Sequence, residues 1–494
     1  MAKGKVLLFR PVAEVVKTKD DVRKEGWVPY ALLAIAGPVV EAGYSVKVYD
    51  GYLDEDYEAI ARSEVPGCVC VGITTLTGYQ IKDGLRFARL VREADPAVPI
   101  VWGGFHPSLF PEQTIRHPLV DILVRGQGEA TFAELVAALA SKKSLDGIKG
   151  VTFRRNGEAI HNPDRPFMKL DEFPPYRFDL VDLKRYVSDR HPKIGKLMVS
   201  YVSSQGCPYN CGFCAEAAVR HRKWSGLSPD RVIHDLKVLT ETTGADAVFI
   251  GDSNFFVNQR RVEEICRRLI GEGPKITWYT DARVDQLTRF DESLWDLMER
   301  SGCRKLLVGA ESGSQEILDY IHKGTTVEQC VEFVKRCTRH NIIAELSLMC
   351  GFPLAPKNDL RDAMRLVERA MEISPEHEIM LFIYTPYPGT PLYEKAIEAG
   401  LVPPKDFEGW ADYTLRSMNT PWLDADFFER YEFFQRVFHF CFTPGLRQAY
   451  VKHGKSLLVY NILRLIARLR WRYRFFGFPI EGRLSKLKQQ LTAD

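Results

Sequence analysis

The sequence lacks long apolar segments and low-complexity tracts. None of its 494 residues fall in an uninterrupted apolar window of 18, and the N-terminus carries only the short apolar run Val6 to Phe9. We therefore expect neither a membrane span nor a secretory signal, and we expect a cytoplasmic protein. Because 45% of the residues are hydrophobic, disorder is excluded as the main state, and the length suggests two or three domains with sizeable cores.

A disulfide framework is not indicated either. The 11 cysteines are an odd number in a chain without a secretory signal, which favours reduced thiols, some of them ligating a metal or a cluster. The chain also lacks a strong overall charge, since its formal net charge is only +3. The charge is uneven, however, because residues 447–488 contain eleven basic residues and a single acid, Glu481.

Residues 1–142 alternate β-rich runs with helical patterns, which predicts a doubly wound parallel sheet of five strands. Such sheets bind ligands beyond the carboxyl ends of their strands, where this sequence places Thr74-Thr75-Leu76 and Gly103-Gly104-Phe105-His106. The predicted strands are Lys5–Phe9, Ser45–Tyr49, Cys68–Ile73, Ile100–Trp102 and Asp121–Val124, and the predicted helices lie near Pro29–Ala42, Tyr79–Glu93 and Ala130–Ala140.

The pattern changes at residues 143–195, which we interpret as a connector. It contains a hairpin signal from Val151 to Asn162, turning on Asn156-Gly157, followed by a proline-rich passage. Alternation resumes over 196–400, where six βα units predict a partial (β/α)6 barrel of the TIM type with its chemistry at the carboxyl ends of the strands. Residues 401–494 are predicted to be helical and basic. The predicted barrel strands are Leu197–Val202, Ala247–Ile250, Ile276–Thr280, Lys305–Val308, Ala344–Met349 and Ile379–Tyr384.

Three cysteines, Cys207, Cys211 and Cys214, follow the first barrel strand in the spacing CxxxCxxC. Three thiolates on one loop can hold three irons of a cubane cluster and leave the fourth iron open to a substrate or cosubstrate. The alternatives are a zinc site with a distant fourth ligand, or three incidental cysteines. No second CxxC pair exists, and the nearest histidine is His221.

With Phe213 as the aromatic residue before the last cysteine, the motif resembles that of the radical S-adenosylmethionine (SAM) family over about residues 196–400. The resemblance implies a [4Fe-4S] cluster whose open iron chelates SAM. Electron transfer into SAM then produces a 5′-deoxyadenosyl radical, so the family also implies an external reductant such as flavodoxin or ferredoxin.

The same resemblance implies SAM contacts after two further strands. Gly251-Asp252-Ser253 falls where the family places a Gly-Gly-Glu-like motif against the SAM amino group, although this sequence departs from Gly-Gly. Glu311 and Ser312 fall where the family contacts the ribose or methionine moiety. Each motif could instead supply a capping acid or a turn.

Two charged residues, Asp281 and Arg283, end the third barrel strand and could face the cavity. For Arg283 we weigh a contact with the cofactor equally against a surface or interdomain ion pair.

An α/β domain before such a barrel is similar to the arrangement in cobalamin-binding radical SAM proteins, the group that includes the anaerobic magnesium-protoporphyrin ester cyclases. Cobalamin domains of the methionine synthase type carry Asp-x-His-x-x-Gly, Ser-x-Leu and Gly-Gly motifs. This sequence has Thr74-Thr75-Leu76 and Gly103-Gly104 but lacks the first motif. The resemblance therefore implies cobalamin bound base-off without a protein ligand to cobalt, with His106 structural or in contact with the nucleotide tail.

The implied function is radical chemistry at an unactivated carbon of a biosynthetic substrate. C-methylation through cobalamin is the most populous activity of the group, and the alternatives are cyclisation, dehydration, epimerisation or another rearrangement without methyl transfer. A non-catalytic cluster carrier would cleave no SAM. A tRNA methylthiotransferase would need more N-terminal cysteines than Cys68 and Cys70, which we interpret as core residues.

The basic segment 447–488 interleaves cations with aromatics, and within it Leu458, Ile462, Leu465 and Leu469 recur at helical spacing. This pattern fits a helix on an anionic membrane surface, and it fits equally a packed helix with a solvated cationic face. The first interpretation predicts peripheral contact with the inner membrane face and favours a lipophilic small-molecule substrate. Nucleic acid is not expected as a partner, because no RNA-binding module accompanies the patch.

Overall fold

The computed structural model describes residues 2–13, 27–191, 194–353, 356–413, 420–442 and 457–473. Its first unit is a seven-stranded sheet in the order β2-β1-β3-β4-β5-β6-β7, in which β1 to β5 are parallel. The parallel strands are those that the sequence predicts, with ends shifted by one or two residues. The seven strands are β1 (Lys5–Arg10), β2 (Ser45–Asp50), β3 (Cys68–Thr74), β4 (Ile100–Gly103), β5 (Ile122–Val124), β6 (Val151–Arg155) and β7 (Glu158–His161).

Helices cover both faces of this sheet, as parallel strands require, because every crossover lays a helix on one face. The strands are accordingly apolar on both sides: Leu7 and Phe9 face one core cluster, and Val6 and Leu8 face the other. The helices are α1 (Tyr30–Glu41), α2 (Tyr57–Glu64), α3 (Tyr79–Ala94), α4 (Phe105–Leu109), α5 (Pro111–Ile115) and α6 (Glu129–Ala140).

The predicted hairpin forms but does not stand apart as a connector. Asn156 and Gly157 both have positive φ (53° and 85°), which a two-residue hairpin turn with the favoured twist requires. Strand β6 then pairs antiparallel with β5. The sheet is therefore two strands wider than the five that the sequence predicts.

The second unit is a curved sheet in the order β16-β15-β14-β13-β12-β9-β8. Its six strands from β9 to β16 are parallel, and β8 is antiparallel at one edge. This arrangement confirms the partial barrel. The strands are β8 (Ser188–His191), β9 (Gly195–Tyr201), β12 (Ala247–Ile250), β13 (Thr277–Ala282), β14 (Cys303–Glu311), β15 (Ile343–Cys350) and β16 (Glu378–Ile383), while β10 (Ser204–Gly206) and β11 (Trp224–Gly226) form a separate small hairpin.

Side chains of the barrel strands alternate between two environments. Val248, Leu306 and Leu346 lie in the largest core cluster, under the helices. The residues between them face the concave side of the sheet, which we call the barrel lumen. The covering helices are α7 (Ala215–Arg220), α8 (Pro229–Thr243), α9 (Gln259–Gly271), α10 (Val284–Leu287), α11 (Glu292–Arg300), α12 (Gln315–Tyr320), α13 (Val327–Arg339) and α14 (Pro356–Ile373).

After the barrel and α15 (Pro391–Glu398), the chain returns to the first unit. Leu401, Phe407 and Trp410 join the same core cluster as Phe9 and Trp102 of the first sheet. Two further helices follow, α16 (Ala425–Phe442) and α17 (Leu457–Tyr473).

The described part of the basic segment is helix α17. Its Trp471 packs against Phe434, Phe438 and Phe442 of α16. The rest of the predicted segment 447–488 lies outside the described residues. Within the described ranges, no helix has the length and apolarity needed to span a membrane.

Candidate functional site

Cys207, Cys211 and Cys214 lie on the loop between β10 and α7, at the carboxyl end of β9. Gly206 starts this loop with φ at +84°, and a Cβ there would lie 2.1 Å from the carbonyl oxygen of Lys223. Only glycine fits so close to a neighbouring backbone. Further along, Gly212 is held on both sides, because its N–H donates to Ile321 (2.8 Å) and its carbonyl accepts from Leu392 (2.9 Å). The backbone of the cysteine loop is thus fixed at both ends.

Hydrogen-bond donors approach two of the three sulfurs. Nη1 of Arg283 lies 3.1 Å from the Cys211 Sγ, and Nδ2 of Asn254 lies 4.0 Å from the Cys207 Sγ. Burial raises the pKa of the Cys214 thiol to about 11, so a thiolate at neutral pH requires a metal or cationic partner.

Arg283 is buried and held in place from three directions. It donates to Asp285 Oδ1 (2.9 Å) and to the Lys323 carbonyl, and its guanidinium lies 3.7 Å from the ring centroid of Tyr209 in the cysteine loop. The ion pair of Arg283 is therefore neither at the surface nor between domains, because Asp285 is buried two residues away in the same unit. Contact of Arg283 with the cofactor stays a prediction, and its hydrogen bond to Cys211 places it beside the cysteine loop.

The donor set is that of a cluster rather than of a single ion. Among the described residues, no group of three or more His, Cys, Asp and Glu side chains is arranged to hold one metal ion. Three cysteines on one backbone-fixed loop, two of them facing N–H donors, match the thiolate ligation and sulfur hydrogen bonding of iron–sulfur sites. Within the part of the chain that the structure describes, no His, Asp, Glu or further Cys joins the three cysteines as a fourth zinc ligand.

Asp252, expected to contact SAM, is fully buried and saturated with hydrogen bonds. It accepts from the backbone N–H and the hydroxyl of both Ser203 (2.6 and 2.6 Å) and Ser204 (3.0 and 2.7 Å). The carboxylate therefore ties the end of β12 to the start of the cysteine loop.

The flanking residues of that motif have different environments. Ser253 is exposed and hydrogen-bonds Glu216, whose carboxyl pKa is raised by burial. Against Gly251 lies the indole of Trp27, 2.8 Å from where a Cβ would stand. Trp27 also meets Phe249 edge-on, with centroids 5.1 Å apart, so a residue that precedes α1 in the first unit reaches into the barrel lumen.

Glu311 forms a buried ion pair with Lys323, with Oε1 and Nζ 2.6 Å apart. Its φ of +61° is unusual for a residue with a Cβ and is characteristic of functional sites. A Cβ at Gly309 would lie 2.0 Å from the Glu311 Oε1 and 2.7 Å from the Lys323 Nζ, so a larger residue there would have to displace this ion pair. Lys323 lies 5.6 Å from the ring centroid of Phe213, which brings Glu311 and Phe213 to the same side of the barrel.

Ser312 is buried and donates from Oγ to the Asp359 Oδ1 (3.1 Å). Asp359 Oδ2 in turn accepts from the Gly351 N–H (2.9 Å). Ser312 therefore fastens the turn after β14 to the turn after β15.

A second site lies at the carboxyl ends of β3 and β4. It is a cavity of about 100 Å³ lined by Thr74, Gly103 and Gly104, together with Gly72, Gly126 and Gly128. Walls made of glycine backbone suit a flat ring system that needs close approach. The cavity also faces the barrel, because Gln205 and Arg220 complete its lining.

Two residues predicted for this site lie elsewhere. Leu76 is 50% exposed and does not line the cavity. His106 is fully buried with its ring against Phe110, Phe407 and Trp410, and its Nδ1 lies 3.0 Å from the Thr77 Oγ1. Burial lowers the pKa of His106 to about 3. These contacts give His106 a packing role.

Sequence reasoning missed several contributors to the two sites. Asn254 and Lys323 carry no motif, and Gln205 and Arg220 adjoin the cysteine motif without belonging to it. The positive φ of Glu311 marks the turn around it as unusual, but this dihedral angle cannot be read from the sequence. Trp27 had no signal at all, because its neighbours are more than 200 residues away in the chain.

Family models match both units. The Radical SAM superfamily model matches residues 201–367, and the B12 binding domain model matches residues 21–136. The first match covers the cysteine loop and most of the barrel, and the second covers the glycine-lined cavity.

The chain is 32% identical over 416 residues to a protein named uncharacterized methyltransferase PH0819 from Pyrococcus horikoshii, covering 83% of this chain and 86% of that protein. It is 28% identical over 408 residues to the anaerobic magnesium-protoporphyrin IX monomethyl ester cyclase of a Synechocystis species, covering 81% and 78%.

Two solved structures share this two-unit fold. The cobalamin-dependent SAM radical enzyme OxsB, with aqua-cobalamin and SAM bound, superimposes with a TM-score of 0.73 at 15% identity, over 99% of this chain and 75% of that one. The methyltransferase TsrM from Kitasatospora setae, with cobalamin and a [4Fe-4S] cluster bound, gives 0.65 at 18% identity, over 82% and 76%. With two family models on its two units and a relative matched over most of both chains, the chain belongs to the cobalamin-binding radical SAM enzymes.

Proposed function

We propose that the protein C-methylates an unactivated carbon of a small-molecule biosynthetic substrate, using SAM, a [4Fe-4S] cluster and base-off cobalamin. In this proposal Cys207, Cys211 and Cys214 hold the cluster, and the glycine-lined cavity holds the cobalamin tail. The main observation behind this proposal is that the two sites are adjacent. Gln205, two residues before Cys207, lines the cavity.

When bound, the cluster would cleave SAM reductively to a radical and cobalamin would carry a methyl group. The chain's own residues position these groups. Arg283 donates to a cluster cysteine and supplies a positive charge that favours the added electron. Asp252 and Ser312 fasten the loops around the SAM site, while Gly251, Ser253 and Glu311 line it.

The cavity residues act by shape and hydrogen bonding. Thr74 offers a hydroxyl, and Gly103 and Gly104 allow the backbone to approach a ring closely. In this proposal cobalamin is bound base-off, without a cobalt ligand from this chain.

The second candidate function keeps the radical and omits methyl transfer, as in cyclisation, dehydration or epimerisation. It is favoured by the match to a cyclase over 81% of the chain. The two functions differ in whether a second SAM is converted to S-adenosylhomocysteine in each turnover.

The test is anaerobic reconstitution of the full-length protein with iron, sulfide and hydroxocobalamin, followed by gel filtration. We expect about four irons and one corrin per chain, and cleavage of SAM on reduction. Alanine at Cys207, Cys211 or Cys214 should abolish the iron, whereas Cys68→Ala, at a buried core cysteine, should retain it. Iron without corrin would contradict the proposal that the protein binds cobalamin. Formation of S-adenosylhomocysteine without a methylated product would support neither methylation nor cyclisation of the substrate that was offered.

We propose flavodoxin or ferredoxin as the reductant, because reductive SAM cleavage consumes a low-potential electron that the cluster must receive from a donor. Supplying either protein with its reductase should start SAM cleavage. Failure of both, where dithionite succeeds, would contradict this choice.

We further propose that the protein works in the cytoplasm and rests on the inner membrane face through helix α17. On α17 an apolar stripe faces solvent: Leu458 and Leu465 are 69% and 60% exposed, and Ile462 and Leu469 lie between and beyond them on the same face. Arg468 and Arg472 are exposed beside the stripe. An apolar stripe flanked by cations suits an anionic bilayer and favours a lipophilic substrate.

Flotation with vesicles tests this contact. The protein should bind vesicles of equal parts phosphatidylglycerol and phosphatidylcholine, and binding should fall for Leu465→Asp and for removal of residues 447–494. The matched control is Asn461→Asp, which adds the same charge at an exposed polar position of α17. Equal binding by the Leu465→Asp protein would contradict the proposal.

A further inference from the structure

One row of described side chains in the barrel lumen holds several carboxylates near a single lysine. Strand register places Asp281 beside Leu307, Leu307 beside Glu345, and Glu345 beside Glu378, so these side chains form one row on the concave face. Lys305 supplies the ammonium of this row and contacts both Glu345 and Glu378, the latter over 2.6 Å. Three carboxylates thus face one lysine.

Two carboxylate oxygens in this row have no partner among the described residues. They are Asp281 Oδ1 and Glu345 Oε1, both buried. Glu345 is only 1% exposed. Leaving a buried carboxylate oxygen without a donor is costly, and a bound ligand is one source of that donor.

Among the described residues, Lys305 is the cation that contacts this row. Burial and the nearby Glu345 carboxylate raise the pKa of Asp281 to about 7. The Lys305 ammonium lowers this pKa, but its effect is smaller. The Lys305 ammonium is already bonded to Glu345 and Glu378, so a second cation beside Asp281 would favour its ionised form.

Aromatic rings form the wall beside the carboxylates. Phe249 and Tyr279 stack with centroids 4.5 Å apart, and Trp27 meets Phe249 edge-on while covering Gly251. At the open edge of the barrel, Met380 and Phe382 of β16 are exposed. Rings beside carboxylates form the environment in which proteins bind organic cations.

The row lies one layer below the cysteine loop. Arg283 follows β13 directly in extended conformation, two residues after Asp281, which is a rise of about 7 Å along an extended chain, and Arg283 contacts Cys211. A molecule held at Asp281 would therefore extend towards the SAM site.

We propose that the substrate carries an ammonium or guanidinium group beside an apolar or aromatic body, and that Asp281 and Glu345 bind the cation. This inference rests on the proposed function, since it names the substrate class of the same barrel. Asp281 is a substrate-binding residue in it, and Trp27, Phe249 and Tyr279 contact the apolar body.

The test is calorimetric titration of the reconstituted full-length protein, with SAM bound, at about pH 8 so that Asp281 is ionised. The probe is benzylammonium, and its neutral counterpart is benzyl alcohol. We expect benzylammonium to bind about tenfold more tightly, Asp281→Asn to remove that preference, and Asp281→Glu to keep it. Asp296→Asn, at an exposed acid on α11, should leave the preference unchanged.

Equal affinity for the two probes, or a preference that survives Asp281→Asn, would overturn the inference. Iron content and SAM binding are measured on the same samples. Loss of these in the unsubstituted protein would contradict the proposed function, whereas intact SAM binding without a cation preference would contradict the substrate class alone.

Discussion

The side-chain amide of Gln205 donates a hydrogen bond to the Glu129 carboxylate over 2.7 Å. The bond joins the start of the cysteine loop to the first residue of α6, and both residues line the glycine-walled cavity. It is therefore a direct link between the proposed cluster and cobalamin sites.

Gln205→Ala should weaken cobalamin binding by about tenfold, because a hydrogen bond to a charged group is lost at the cavity wall. Iron content should not change, since Gln205 is not a ligand. Corrin absorbance after gel filtration, over a series of cobalamin concentrations, measures the effect, with Gln259→Ala on the outer helix α9 as control. Loss of iron together with corrin would mean that Gln205 supports the loop rather than the cavity.

Gly206→Ala should prevent cluster assembly. Its Cβ would lie 2.1 Å from the Lys223 carbonyl oxygen at φ +84°, so β10 and β11 would have to separate. Gly244→Ala is the matched control, because Gly244 has φ +71° and nothing within 4 Å of the added Cβ. Alanine at a positive φ destabilises both variants by about 1 kcal/mol. Only Gly206→Ala should lose iron. Equal iron in the two variants would show that the loop tolerates the clash.

Asp252→Asn separates a loop-fastening role from direct SAM binding. An amide retains one acceptor oxygen for the four donors of Ser203 and Ser204, at a cost of about 1–3 kcal/mol. We expect lower iron content and a lower unfolding temperature, with unchanged SAM affinity in the fraction that keeps its cluster. Full iron content with weakened SAM binding would instead favour a direct contact between Asp252 and SAM.

His106→Phe should reduce the acid sensitivity of the fold. The folded protein holds His106 neutral down to about pH 3, whereas the unfolded chain gains this proton below about pH 6.5. The contribution of His106 to the free energy of unfolding is therefore fully present above about pH 6.5. It is lost as the pH falls, by about 2 kcal/mol between pH 6.5 and 5. Denaturant unfolding at both pH values should show a smaller loss for the variant, and an equal loss would show that His106 does not titrate on unfolding.

Much of the fold could be predicted from local sequence. Strand β12 begins at Ala247 and ends at Ile250 as predicted, because a short apolar run between turn signals is unambiguous there. The hairpin turn at Asn156-Gly157 was equally clear, since these residues accept positive φ. That the hairpin pairs with β5 could not be predicted, because an edge pairing leaves no mark in the sequence of either strand.

The site was predictable only as far as its motifs extended. The cysteine spacing identified the three candidate ligands. The partners that decide the roles of the other residues, such as Lys323 for Glu311 and the two serines for Asp252, depend on how separate strand ends meet in space. His106 was named from its place after Gly103-Gly104, but Phe407 and Trp410, which enclose it, arrive from 300 residues further along the chain.

The return of residues 401–413 to the first sheet has a consequence for synthesis. Phe9 and Trp102 share their core cluster with Phe407 and Trp410, so one face of the N-terminal unit stays open until four-fifths of the polypeptide has left the ribosome. Domains usually fold in the order in which they are made, but here the first-made unit is completed only after all the barrel strands have been made. The nascent chain must therefore keep an apolar face from aggregating while the entire barrel is translated, which makes this unit the expected client of a ribosome-associated chaperone.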